Sequence, residues 1–223
     1  LGQGVGNAVG MAVSETILRA QFGEDVVNHY TYVLHGDGDI QEPVAMGSVA
    51  IAGHWGLGKL IGYYDANKAQ ISGEVDRSDS VNYAKFYNSN NWHVQEVDGQ
   101  NRDEIRNAIR IAQMEVEKPS VIIGHTTMAK GCDSVENDHN THGAPLPPEE
   151  ISATKEKLGL DPNEFFQLPQ DVLDDFRSSY SYAKEEVSAW NFNLEKRMQD
   201  QSFKLSLIHI SEPTRRTPIS YAV

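Results

Sequence analysis

The spacing of apolar residues along the first two thirds of the chain switches between a helical and a strand period. Between 102 and 117, Ile105, Ala108, Ile109, Ala112 and Val116 recur three and four residues apart, which marks one helical face, and Pro119 stops that helix. HYTYVLHG, ending at Gly36, is rich in aromatic and branched residues and reads as a strand; KLIGYYDAN at 59–67, WHVQEVDG at 92–99 and SVIIGHTT at 120–127 read the same way. EPVAMGSVAIAGHWG at 42–56 is apolar around much of a helix, with Pro43 where a first turn tolerates it, and predicts a largely buried helix. Residues 4–20 carry small residues spaced for close helix packing, with Ile17 and Leu18 as apolar anchors, and predict a second buried helix.

Strands alternating with helices imply an α/β fold, a doubly wound and mostly parallel sheet covered on both faces. From 147 to about 200 the chain turns charged and helical, with Pro162 and Pro169 separating the pieces. The expected organisation is an α/β domain over 1–146, a helical extension over 147–204 and a separate segment over 205–223. That last segment, LSLIHISEPTRRTPISYAV, follows no period and resembles the conceptual translation of a sequencing adapter, so we set it apart as foreign. It carries Arg215 and Arg216 against Glu212, so without it the net charge moves only from -13 to -14.

At 223 residues the chain has room for one large domain, and 39% hydrophobic with 23% charged residues is an ordinary globular composition. A net charge of -13 argues against nucleic acid as a partner, since phosphate backbones are bound through clustered Lys and Arg. No apolar run reaches the roughly 18 residues a bilayer span needs, and the first residues lack the features of a signal peptide. The single Cys132 excludes an internal disulfide, so a cytoplasmic location with no membrane partner is expected. The Gly-rich start at Leu1 reads as the interior of a domain.

In a parallel sheet, ligands bind beyond the carboxyl ends of the strands, where glycines admit a phosphate to the backbone. Gly36-Asp37-Gly38 follows a predicted strand directly, and its aspartate suits the Mg²⁺ that offsets a diphosphate's charge. Asn67 ends the next predicted strand, so Asp37 and Asn67 are placed to face one ion, with the Ala69 carbonyl as a further oxygen. Each half alone has a plainer reading, Gly-Asp-Gly as a common turn and Asn67 as a turn cap.

Over nearly all of 1–200 the sequence resembles the transketolases, through LGQGVGNAVGMA, GDG with its Asn, GLGKLIGYYDAN, WHV…VDG and HGAPL at 142–146. Gly-Asp-Gly with a downstream Asn is shared with other thiamine-diphosphate enzymes, whereas HGAPL is a transketolase feature. The resemblance implies thiamine diphosphate and Mg²⁺ (or Ca²⁺ or Mn²⁺) as cofactors, the metal held by Asp37, Asn67 and the Ala69 carbonyl. Gly36 and Gly38 then lie against the diphosphate, and Leu1 and Gly2 match the cofactor-facing LGQG segment. Ile71 and Met128 match apolar positions beside the cofactor's rings, and Glu42 matches an acid linking the two sites of a homodimer. His142 matches a histidine that contacts diphosphate and substrate, where an imidazole can hydrogen-bond or carry a proton. His139 is a second candidate, and either histidine could instead cap a loop. Departures from the family pattern fall at His35, Asp39, Pro43, His125 and Lys130; Asp39 adds negative charge near the diphosphate site and is expected to point to solvent.

The resemblance further implies transfer of a two-carbon ketol unit between sugar phosphates, the cofactor supplying the chemistry and the protein its placement. The acid that activates the cofactor's pyrimidine ring belongs to a second domain outside this sequence. Three arrangements follow: part of a two-domain homodimeric enzyme, one subunit of a split enzyme whose pyrimidine-binding domain is a separate polypeptide, or a non-catalytic cofactor-binding protein. The chain by itself should therefore show no turnover of xylulose 5-phosphate with ribose 5-phosphate in a coupled assay; measurable turnover would contradict this reading.

Overall fold

The computed structural model describes residues 1–71 and 73–211. The chain forms two compact units, Leu1–Thr16 with His29–Gln167 and, among the described residues, 17–28 with 168–211. In chain order the elements are α1 (Gln3–Phe22), β1 (Thr31–Gly36), α2 (Asp37–Ile40), α3 (Pro43–His54), β2 (Leu60–Ala66), β3 (Ala69–Gln70), β4 (Gly73–Glu74), α4 (Tyr83–Ser89), β5 (His93–Asp98), α5 (Arg102–Met114), β6 (Ser120–His125), α6 (Pro148–Lys157), α7 (Gln170–Arg197) and α8 (Gln201–Ser211).

In the first unit β1, β2, β6 and β5 lie side by side in that order, every pair parallel. The period of two sorts their side chains. Leu60, Tyr64 and Ala66 of β2 join Val121 and Ile123 of β6 in one buried cluster with Val5, Ala8 and Val9 of α1 and Ala45, Val49 and Ala52 of α3. Ile61 and Ile122 point the other way and meet Ala108 and Ala112 of α5. Helices thus cover both faces, the doubly wound α/β arrangement that the alternating periods imply. A short antiparallel hairpin of β3 and β4 stands at the carboxyl end of β2.

Local chemistry explains where the elements start and stop. Asn101 caps α5 by accepting from the N–H groups of Asp103 and Glu104, two acids that also suit the positive end of a helix. Its end comes earlier than the apolar spacing suggests. The Glu115 carboxylate accepts from the N–H groups of Glu117 and Lys118 and turns the chain ahead of Pro119, so Val116 lies beyond the helix and 66% exposed. In α1 the buried stripe is Val5, Ala8, Val9, Ala12 and Glu15, whose charge meets Lys59 Nζ at 3.6 Å, whereas Ile17, expected as an anchor, is 59% exposed. Helix α4 has no counterpart in the sequence reading; it is seven residues long and capped by Asn82, which accepts from the Lys85 N–H.

The second unit has contacts of its own. The Phe22 and Phe203 rings meet edge to face at 5.3 Å. Arg197 lies 3.2 Å from Asp25 and donates to the Phe22 carbonyl, while the Trp190 indole donates to the Val26 carbonyl. Helix α8 runs through 205–211; the rest of the segment set apart as foreign, 212–223, lies outside the described residues. Among the described residues no helix is long and apolar enough to cross a membrane.

Two glycines test the packing in opposite senses. A Cβ on Gly53 of α3 would come within 1.7 Å of the Asn90 carbonyl oxygen, the close approach that lets the Trp92 indole donate to the Val49 carbonyl. Gly53→Ala should cost about 3 kcal/mol in urea unfolding. Gly10→Ala, where the added Cβ meets nothing within 4 Å, should gain about 0.5–1 kcal/mol.

Candidate functional site

Strand β1 ends at Gly36, which pairs with Asp65 of β2. The next residue of the first strand, Asp37, is thereby set beside the segment that leaves the second, at the carboxyl edge where parallel sheets bind ligands. Asp37 is 5% exposed, and both of its carboxylate oxygens are held. Oδ1 accepts from the Tyr64 hydroxyl at 2.5 Å and Oδ2 from the Lys68 N–H at 2.9 Å. Burial lifts its carboxyl above the ordinary aspartate range, and these two hydrogen bonds pull against that shift. The Tyr64 hydroxyl is driven up by burial and then by the neighbouring carboxylate, so it remains the donor of the pair.

Around this bond the sheet is aromatic. His35 of β1 stacks on Tyr64 with centroids 5.1 Å apart, and its Nε2 lies 3.0 Å from the Tyr87 hydroxyl. Tyr83 of α4 meets Tyr64 edge-on at 5.6 Å. Burial pushes the His35 imidazole down to about 4, so it is neutral at pH 7.

Asn67 closes a tight local turn, its Oδ1 accepting from the Ala69 N–H at 2.9 Å and its Nδ2 donating to Asp65 at 3.0 Å. Asp65 in turn accepts from the Thr126 hydroxyl. Lys68, between Asn67 and Ala69, has a φ of +62°, a left-handed conformation that costs a side-chain-bearing residue on the order of 1 kcal/mol. Asp39 does not point to solvent as expected. Its two oxygens accept from the N–H groups of Gly2 at 3.0 Å and Gly36 at 3.1 Å. Although burial raises its carboxyl, those bonds prevail and hold it below the usual range. Asp39 thus ties the amino-terminal Leu1-Gly2 segment to the Gly-Asp-Gly turn, and Gly2, at φ +74° with no room for a Cβ against Glu42, has to be glycine.

One cavity of about 490 Å³ gathers most of the residues singled out in the sequence. Leu1, Gly36, Asp37, Gly38, Glu42, Asn67, Ala69, Ile71 and His142 all line it. A second of about 730 Å³ shares Gly36, Asn67 and His142 with the first and adds Met128. Met128 and Ile71 therefore line different cavities. Gly2 lines neither and acts through its bond to Asp39, and His139 borders a third cavity with Asn67, Lys68 and Met128. Among the departures, His125 pairs with Glu96 at 2.9 Å and Lys130 with Glu136 at 2.7 Å.

The donor set fits a hard divalent cation carrying a diphosphate. Asp37, Asn67 and Ala69 offer a carboxylate, an amide and a backbone oxygen, the mixture Mg²⁺ takes when phosphate and water complete its octahedron. No group of three or more His, Cys, Asp or Glu able to hold a metal unaided occurs among the described residues. Gly36 is extended, a backbone any residue adopts, and a Cβ there would meet nothing within 4 Å. Its missing side chain leaves open volume beside Asp37 for a ligand. His142 Nδ1 is enclosed without a hydrogen-bond partner among the described residues, a polar atom awaiting one. Sequence reasoning missed Tyr64, Asp65 and Lys68. The alternation along β2, which puts Tyr64 on the face of Leu60 and Ala66, is the signal that places Tyr64 beside His35.

Comparison with known proteins gives one consistent answer. The family model described as transketolase, thiamine diphosphate binding domain, matches residues 1–211. Transketolase 10 of Craterostigma plantagineum is 40% identical over 196 residues, covering 86% of this chain and 29% of the relative. The transketolase of Campylobacter jejuni superposes with a TM-score of 0.89 at 35% identity, covering 96% of this chain and 33% of that one. A Pichia stipitis transketolase solved in complex with sedoheptulose 7-phosphate gives a TM-score of 0.86 at 31% identity, covering 93% and 31%. The chain thus spans about a third or less of the length of these relatives.

A buried neutral histidine makes stability depend on pH. Unfolded His35 takes up a proton near 6.5 and folded His35 only near 4, so the unfolded state binds more protons between those values. The stabilisation is complete above pH 6.5 and falls as the pH drops towards 4, by about 3 kcal/mol in total. Asp37, whose carboxyl is raised, works in the opposite sense at its own titration. Urea midpoints measured across this window should decline in the wild type, and His35→Phe should lack that part of the decline.

Proposed function

Because the chain belongs to the transketolase family, we propose that its first unit anchors thiamine diphosphate by the diphosphate, through a divalent cation held by Asp37, Asn67 and the Ala69 carbonyl. The observation that carries this reading is the charge of the cavity. Asp37, Asp39 and Glu42 line it and no lysine or arginine does, so a diphosphate can enter only with a cation between it and the carboxylates. Gly36 and Gly38 leave backbone within reach of the phosphates. Leu1 and Ile71 give the wall apolar surface for the organic part of the cofactor, and Met128 gives the same to the adjoining cavity. His142, which lines both cavities, hydrogen-bonds the diphosphate and a sugar phosphate beside it.

When bound, thiamine diphosphate supplies the nucleophilic carbon that moves a two-carbon ketol unit from a ketose phosphate to an aldose phosphate. This chain's residues do the placing. Asp37 and Asn67 fix the anionic end, Asp39 keeps the Leu1-Gly2 segment against the turn, and His142 hydrogen-bonds the substrate side. Glu42, which lines the cavity, links the site to a second one in a homodimer. The remaining groups come from the part of the enzyme that this chain does not span, and the assembled enzyme works in the cytoplasm on sugar phosphates.

Calorimetry tests the core of the proposal. Thiamine diphosphate should bind the chain in the presence of Mg²⁺, Mn²⁺ or Ca²⁺, should lose that binding in excess chelator, and should not bind Asp37→Ala. Equal binding with and without a divalent cation would overturn the reading.

A further inference from the structure

The geometry points to Tyr64 as the positioning residue of the cation-binding carboxylate, fixing which lone pairs Asp37 presents to the metal. This inference rests on the reading of Asp37 as a ligand. An aspartate carboxylate turns easily about its last torsion, so a ligand held only by its backbone samples many orientations. Here the rotation is stopped from two sides. The Tyr64 hydroxyl holds Oδ1 and the Lys68 N–H holds Oδ2, and the Asn67 N–H adds to these, so the lone pairs left for a cation have set directions.

The ring that carries the hydroxyl is itself packed on neighbours. The Tyr64 ring is clamped between the stacked imidazole of His35 and the edge of Tyr83, and its Cα sits in register with that of His35 in the β1–β2 ladder. The position of Asp37 Oδ1 is thus inherited from sheet register through one rigid ring. The other two hydroxyls of the cluster serve different partners, Tyr83 donating to Asp79 and Tyr87 facing His35. Of these three hydroxyls it is that of Tyr64 that reaches the carboxylate, and removing it leaves Oδ1 in an almost fully buried position without that donor.

Uptake of Mn²⁺ with thiamine diphosphate, followed by the electron paramagnetic resonance of the free ion, separates the possibilities. Tyr64→Phe should bind the ion roughly 10-fold more weakly than the wild type, in the range expected for partners of a metal ligand, and should alter the line shape of the bound ion. Tyr87→Phe, which removes a hydroxyl from the same cluster, should shift the urea midpoint but leave Mn²⁺ affinity and line shape unchanged. Replacing Tyr64 by 4-aminophenylalanine, which restores a donor at the same place, should recover most of the affinity and keeps the test open if Tyr64→Phe folds poorly. Should Tyr64→Phe bind Mn²⁺ like the wild type while Asp37→Ala loses it, the positioning role is overturned and the ligand assignment stands. Should Asp37→Ala bind like the wild type, the ligand assignment falls and the inference falls with it.

Discussion

The parallel pairing of β1 with β2, in the register that sets Gly36 against Asp65 and His35 against Tyr64, is the constraint on which the site depends. A slip of one residue would turn Val33 and His35 to the opposite face, breaking the His35–Tyr64 stack and moving Asp37 off the Tyr64 hydroxyl. The register is held by burial. Leu60, Tyr64 and Ala66 fill one face against α1 and α3 while Ile61 fills the other against α5, so neither face tolerates the exchange. The chemistry at the sheet edge is in this sense a by-product of how β2 divides its side chains between two cores.

That dependence separates what could be read in the sequence from what could not. The four strands, α3 and α5 were legible because burial on one side or on both leaves a local period. So was the meeting of Asp37 and Asn67 at one cavity, since neighbouring parallel strands carry their following residues to the same edge. Other features depend on partners far along the chain. Asp39 is drawn out of solvent by the Gly2 N–H, and no local pattern announces a carboxylate claimed by two amides. Tyr64 looks like one more core aromatic until its neighbour across the ladder is known. Val116 has the right spacing for a buried face, but the Glu115 carboxylate ends the helix first. Helix α4 is only two turns long, and Tyr83, Phe86 and Tyr87 at helical spacing were its faint signal.

The departures from the family pattern fall into two kinds. His125 meets Glu96 and Lys130 pairs with Glu136 at the surface, contacts that contribute little to stability. His35 and Asp39 are built into the site, one as a neutral ring beneath the tyrosine that holds Asp37, the other as a bridge between two backbone segments.

The acidic cavity also bears on how the fold persists. Three carboxylates facing one space repel one another, and no lysine or arginine in that wall relieves them. A cation and diphosphate binding there would bind the folded chain and not the unfolded one, and so shift the folding equilibrium in proportion to their free concentration. Under the proposed function, the folded fraction of the protein then depends on cofactor supply as well as on its sequence.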